Sequence, residues 1–110
     1  KYDYPFLFRL KNFEGIKIAD AKDIGCMKIA AVSSRGTKKD FIDLFFICQK
    51  VISLKRLLEL FKKKYKGVDY NMIHILKSLI YFEDAQREPM PKMIIPISWE
   101  RVKNFFKKEI

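Results

Sequence analysis

From residue 20 onward the apolar positions of this chain recur at helical spacing, and four of the five runs are preceded by a residue suited to cap them. Asp20 opens the first, in which Ile24, Met27 and Ala31 share a face and Asp23 adds a carboxylate to the first turn. That helix is expected to reach about Ser34, where Ser33-Ser34-Arg35-Gly36 breaks it. Thr37 caps a second, from Lys38 to about Val51, whose Phe41, Ile42, Leu44, Phe45, Phe46, Ile47 and Cys48 leave little polar face. Such a helix belongs in the centre of a bundle. Ser53 caps a third, with Leu54, Leu57, Leu58 and Phe61 at i, i+3, i+4, i+7 and lysines opposite, and Gly67 stops it. A fourth, about Tyr70 to Gln86, places Met72, Ile73, Leu76, Leu79 and Ile80 on one stripe. Pro89, Pro91 and Pro96 impose an extended crossing. Ser98 then caps a last helix, to about Lys108, with Trp99, Val102, Phe105 and Phe106 inward.

Before residue 20 the pattern changes. Tyr4 to Leu10 reads as a strand with Pro5 near its start, Asn12 to Gly15 can turn, and Gly15 to Ala19 alternates like a second strand. The fold class expected is mainly α, a bundle of about five helices behind a short N-terminal β-hairpin. A lone hairpin is marginal in water. The strand pair in 1–19 is therefore expected to continue a sheet core upstream of this chain, which opens on Lys1 rather than Met, with 20–110 forming a C-terminal helical domain. An uncovered edge carrying Phe6, Phe8 and Ile18 is expected to make the chain self-associate through its N-terminal strands.

Composition narrows the class further. At 110 residues, 49% of them hydrophobic and 15% aromatic, the chain fits one domain and is not a disordered tract. Its longest apolar run, Leu44 to Cys48, is far short of the ~18 residues a membrane span requires. No secretory signal pattern is present, and the cytoplasm is the expected compartment. Cys26 and Cys48 are too few for a disulfide framework and lack the paired spacing of a zinc site, so both are expected to be reduced, packed thiols. His74, on an apolar helix, reads as a packed side chain. The net charge of +10 is densest in 53–67, where Lys55, Arg56, Lys62, Lys63, Lys64 and Lys66 face only Glu59. That excess suits a polyanion, an acidic partner or a solvated helix face.

The chemistry concentrates between residues 23 and 43. Lys28 lies beside Met27 and Ala31, where a core residue is expected, so it must snorkel, pair or meet a ligand. Asp40 and Asp43 share a face of the second helix, and Arg35, Lys38 and Lys39 gather at its N-terminus, a favourable place for phosphate. Cations over phosphates, with carboxylates to orient an acceptor, are what phosphate chemistry needs. The same spacing also fits a plain ion pair between helices, Lys28 to Asp40.

The run DIGCMKIAAVSSRGTKKDFIDLFF, residues 23–46, resembles the later motifs of the AbiEii/AbiGii toxin family of nucleotidyltransferases: Lys-x-x-Ala on a helix, a turn with Arg, then Lys-Asp-x-x-Asp-Leu. DYNMIHILKSLIYFEDAQREPMPKM, residues 69–93, and the Trp-containing helix after it are similar to the same family, so the resemblance covers about residues 4–106. It implies a polymerase-beta-like core followed by a helical bundle, and transfer of a nucleotide from an NTP with Mg2+ to an acceptor, tRNA for some members. It also implies an abortive-infection toxin paired with a separately encoded antitoxin. By motif, Lys28, Arg35 and Lys39 would contact the triphosphate, and Asp40 and Asp43 would be catalytic, one of them acting on the acceptor hydroxyl as base or orienter. The family's Gly-Ser and Asp-x-Asp motifs, which hold two metal ions, are absent from this chain, so no metal ligand is expected in it and the isolated chain is expected to be inactive. The other reading is a non-enzymatic basic helical module that binds nucleic acid or a partner protein.

Overall fold

A computed structural model describes residues 4–93 and 95–110; residues 1–3 of the expected strand pair lie outside the described residues. The chain is mainly helical with a short antiparallel hairpin at its start, as the patterning predicts. Strands β1 (Lys11–Phe13) and β2 (Ile16–Ile18) precede helices α1 (Ala21–Ser34), α2 (Lys38–Lys50), α3 (Leu54–Lys64), α4 (Met72–Ser78), the single turn α5 (Glu83–Gln86) and α6 (Trp99–Glu109). The side chains of Asp20, Thr37, Ser53 and Ser98 each accept a backbone N–H from the first turn of the helix they open, and Asn71 does the same for α4.

The hairpin begins later than its sequence suggests. Glu14 and Gly15, both at positive φ (50° and 83°), form the two-residue turn that matches strand twist, and this sets Phe13 opposite Ile16. Tyr4 to Leu10, expected to be the first strand, contains no strand residue. Its backbone is taken by a side chain instead: the Asp23 carboxylate accepts the N–H groups of Leu7 and Phe8, both at 2.9 Å.

α1 packs on α2, α3 and α4, and α2 on α6. Cys26, Ile29 and Val32 carry α1 into the core with Gly25, so the expected stripe of Ile24, Met27 and Ala31 is only half-buried. The face was displaced because Asp23 and Gly25, neither apolar by type, fill interior positions. Gly25 permits the closest approach to α3, since a Cβ there would stand 2.9 Å from Leu57 Cδ2. α2 is the central helix, with Phe41, Ile42, Leu44 and Phe45 buried, and Phe41 lies within 6 Å of Phe82, Trp99 and Phe106.

The expected fourth helix is interrupted. The N–H groups of Ile80 and Tyr81 reach back three residues, to Lys77 and Ser78, which tightens and ends the turn. The chain then turns Phe82 and Ala85 inward together with Ile75 and Leu79, while Ile73 and Ile80, expected on the buried stripe, are exposed. Lys64 is a further departure. Its side chain is wholly buried, and its Nζ lies 2.9 Å from Asp23 Oδ1.

Candidate functional site

The turn between α1 and α2 is what assembles the candidate residues. Gly36, at φ +58°, donates its N–H to Ala31 O and closes α1 in a left-handed step that lets α2 start at Lys38. Arg35 is thereby folded back over the first turn of α2. Thr37 Oγ1 accepts the Asp40 N–H (3.2 Å) and donates to Asp40 Oδ2 (2.7 Å), which fixes the carboxylate against its own cap.

Asp40 is buried and hydrogen-bonded to saturation. Oδ1 accepts from Lys28 Nζ (3.3 Å) and Arg35 Nη2 (3.0 Å), and Oδ2 accepts from Arg35 Nε (2.7 Å) and Thr37. Burial alone would raise its pKa, but the bonds from Arg35, Thr37 and Lys28 outweigh that and hold the carboxyl at about 2. Lys28 Nζ also reaches Asp43 Oδ2 at 3.0 Å, and Lys39 Nζ meets the same oxygen at 2.9 Å. Burial would lower the Lys28 pKa, but Asp43 and Asp40 together raise it, so the ammonium stays protonated. Lys28, Arg35, Lys39, Asp40 and Asp43 thus form one network of three cations and two carboxylates. Asp40 is its sealed centre and Asp43 its partly open edge.

The start of α2 is not the open phosphate cradle that its lysines suggested. Glu88 Oε1 accepts the Lys38 backbone N–H at 2.6 Å, and buried Lys38 Nζ donates to Glu88 O at 2.6 Å while lying 5.0 Å from the Trp99 ring centroid. Lys38 therefore belongs to the packing of the 88–97 crossing, and an internal carboxylate already sits at the helix dipole. Sequence reading missed Glu88 because its partner lies 50 residues away.

Behind the network, between α1 and the end of α3, lies an open groove of about 470 Å³. Ile24, Met27 and Ala31 line one side, Phe61, Tyr65 and Tyr70 the other, and Lys28 and Arg35 reach it from the network. Asp40 and Asp43 do not: Asp40 faces the basin beside Glu88, and Asp43 faces the crossing near Pro91. Among the described residues, the groove meets the network only through the cations Lys28 and Arg35.

A magnesium ion does not fit between Asp40 and Asp43, because Lys28 Nζ lies there and the lone pairs of Asp40 are already committed. Among the described residues no group of three or more His, Cys, Asp or Glu side chains is placed to hold a metal. Both cysteines are free thiols whose pKa burial pushes up to about 12, which keeps them inert. His74 is exposed rather than packed, its Nε2 lying 3.3 Å from Ser33 O. Among the described residues no helix is long and apolar enough to cross a membrane.

The chain is 48% identical over 113 aligned residues to an uncharacterized protein of Aquifex aeolicus (strain VF5). The match takes in all of this chain and 53% of that protein, so the chain spans about half the length of this relative. No family model and no solved structure matches the chain.

Proposed function

We propose that this chain is the C-terminal portion of a nucleotidyltransferase of the AbiEii/AbiGii type, contributing triphosphate and acceptor contacts to a metal centre carried on another segment. The observation that supports this reading is the single network across α1 and α2. The five residues marked by resemblance to two separate motifs touch one another, 12 residues apart at Lys28 and Asp40.

The network also divides the labour. A carboxyl at about 2, with every lone pair filled, is a poor proton acceptor near neutral pH, so Asp40 serves as the anchor that aims Lys28 and Arg35. Asp43 takes both of its cations on Oδ2 and keeps a partly exposed edge, which suits it to orient an acceptor hydroxyl. Lys28 and Arg35 supply the fixed positive charge that a transferring phosphoryl group requires. The wider proposal includes a cytoplasmic toxin, an RNA acceptor such as tRNA and a cognate antitoxin.

The test uses a protein that joins this chain to a Gly-Ser and Asp-x-Asp segment, supplied with Mg2+, labelled NTP and RNA. Asp43→Asn is expected to lower transfer by about 100-fold or more while NTP affinity changes little. Full transfer by that variant overturns the assignment. A second reading, a basic module without catalysis, draws on the exposed row Lys55, Arg56, Lys62, Lys63 and Lys66 along and just beyond α3. It gains if RNA binding is strongly salt-dependent and unchanged by Lys28→Ala.

A further inference from the structure

The groove behind the network has a composition that the network alone does not explain. Its α3 side is aromatic: Phe61 lies 4.7 Å from Tyr65 and 5.2 Å from Tyr70, and Tyr4 closes on Tyr65 edge-on at 5.1 Å. Tyr4 comes from the segment clasped by Asp23 and Lys64, since Lys64 Nζ donates to Pro5 O at 3.0 Å. Along α1 the lining changes from Ile24 and Met27 to Ser33, Ser34 and Arg35, with Lys28 between them. Ser33 and Ser34 spend their hydroxyl protons on the carbonyls of Ala30 and Ala31, at 2.8 and 3.2 Å, so each Oγ is left as an acceptor. One groove therefore offers apolar and aromatic walls, hydroxyl acceptors and two cations, and among the described residues no carboxylate lines it.

We propose that this groove takes the base and ribose of a nucleoside phosphate, with its phosphates reaching Lys28 and Arg35. The proposal rests on the reading of those two side chains as phosphate ligands and adds where the rest of the nucleotide goes. A base has a planar apolar body suited to the gap between Met27 and Ala31 and the half-buried Tyr70 ring. A ribose has hydroxyl donors for the serine oxygens. The volume of about 470 Å³ falls within the range of small-molecule sites. Charge complementarity favours an anion, because among the described residues the charged side chains lining the groove are Lys28 and Arg35, whereas Asp40 and Asp43 line neighbouring basins.

The experiment compares ATP, GTP, CTP and UTP with inorganic tripolyphosphate, which carries the phosphate charge without a nucleoside. Each is titrated into the 110-residue chain without metal and followed by calorimetry and tyrosine fluorescence. At least one nucleotide is expected to bind about tenfold or more tighter than tripolyphosphate, the scale that stacking one base on an aromatic ring supplies. Ala31→Leu, on a half-buried wall position, is expected to fill the groove and remove that preference while leaving tripolyphosphate binding and the circular dichroism unchanged. Tyr70→Leu, which keeps bulk but loses the ring, is expected to weaken the same preference. Equal binding of nucleotide and tripolyphosphate overturns the base site and leaves the phosphate role of Lys28 and Arg35 standing. Nucleotide preference that survives Ala31→Leu overturns the location. If neither probe binds, or if binding of both is unchanged in a Lys28→Ala, Arg35→Ala double variant, the phosphate role fails and the proposal falls with it.

Discussion

Lys64 Nζ and Asp23 Oδ1 meet at 2.9 Å with both side chains fully enclosed. The helix with the densest positive charge therefore spends one lysine inside the protein. The other partners complete the pair: Asp23 accepts the Leu7 and Phe8 N–H groups, and Lys64 donates to Pro5 O. Burial would raise the Asp23 pKa, but the Leu7 N–H, Lys64 and the Phe8 N–H together lower it, so the carboxylate stays ionised. Three backbone groups of the N-terminal segment and one side chain from each of two helices converge on one point. The pair fastens residues 5–8 across α1 and α3, and with them the Tyr4 ring on Tyr65.

Removing either partner leaves a buried charge without its complement, which costs roughly 3–5 kcal/mol. Lys64→Met is therefore expected to lower the urea midpoint sharply, far more than Lys63→Met on the exposed face of the same helix. Hydrogen exchange at the Leu7 and Phe8 amides is expected to rise in Lys64→Met as the clasp loosens. Equal midpoints for the two methionine variants would show that the pair contributes nothing.

The Asp40 and Arg35 contact predicts an asymmetry. Arg35 is largely exposed at 63% of its side chain, whereas Asp40 is at 2%. Arg35→Ala leaves the carboxylate with Lys28 and Thr37, and is expected to cost about 1 kcal/mol or less. Asp40→Asn keeps the shape but removes the charge that gathers Lys28 and Arg35 and turns one of the two acceptor oxygens into a donor. It is expected to cost about 2–3 kcal/mol. Chemical denaturation of the two variants decides, and the order Arg35 above Asp40 would reverse the argument.

The same carboxyl sets a pH dependence. Its folded pKa of about 2 lies below its unfolded value near 3.9, so its contribution is complete above about pH 4 and is lost as pH falls toward 2. The loss amounts to about 2 kcal/mol. Asp23, also lowered, acts in the same direction. The denaturation midpoint is expected to fall steeply between about pH 4 and 2. Asp40→Asn is expected to flatten that limb, and an unchanged acid limb in the variant would contradict the sign.

Local chemistry made much of this structure legible. The caps Asp20, Thr37, Ser53 and Ser98 mark helix starts because each acts within three residues of itself. The α1 to α2 network could be foreseen for the same reason, since Arg35 and Asp40 are separated by one tight turn. What stayed hidden depends on distant partners. Lys64 looks like one more solvated lysine until Asp23, 41 residues away, is brought against it. The Lys38 N–H looks free for phosphate until Glu88 arrives. The buried stripe of α1 was misplaced because tertiary pairing let an aspartate occupy a core position.

The hairpin carries the last prediction. Alternation places Lys11 and Phe13 of β1 on the same face as Ile16 and Ile18 of β2, with Phe13 directly opposite Ile16. Phe13 and Ile16 are 62% and 63% exposed, and Ile18 is exposed beside them. Two strands cannot hide this face by themselves, and both of their outer edges can accept a further strand. The isolated chain is therefore expected to associate with itself, with a mass by light scattering that rises with concentration. Phe13→Lys with Ile16→Thr is expected to return it to a monomer without shifting the helical circular dichroism. The Aquifex relative is about twice as long as the part that matches. A longer protein of that kind could cover the hairpin with its own segment, in which case it stays monomeric where the bare chain associates. A chain that remains monomeric with Phe13 and Ile16 in place would mean that the face is wetted at no cost, and the edge argument would fail.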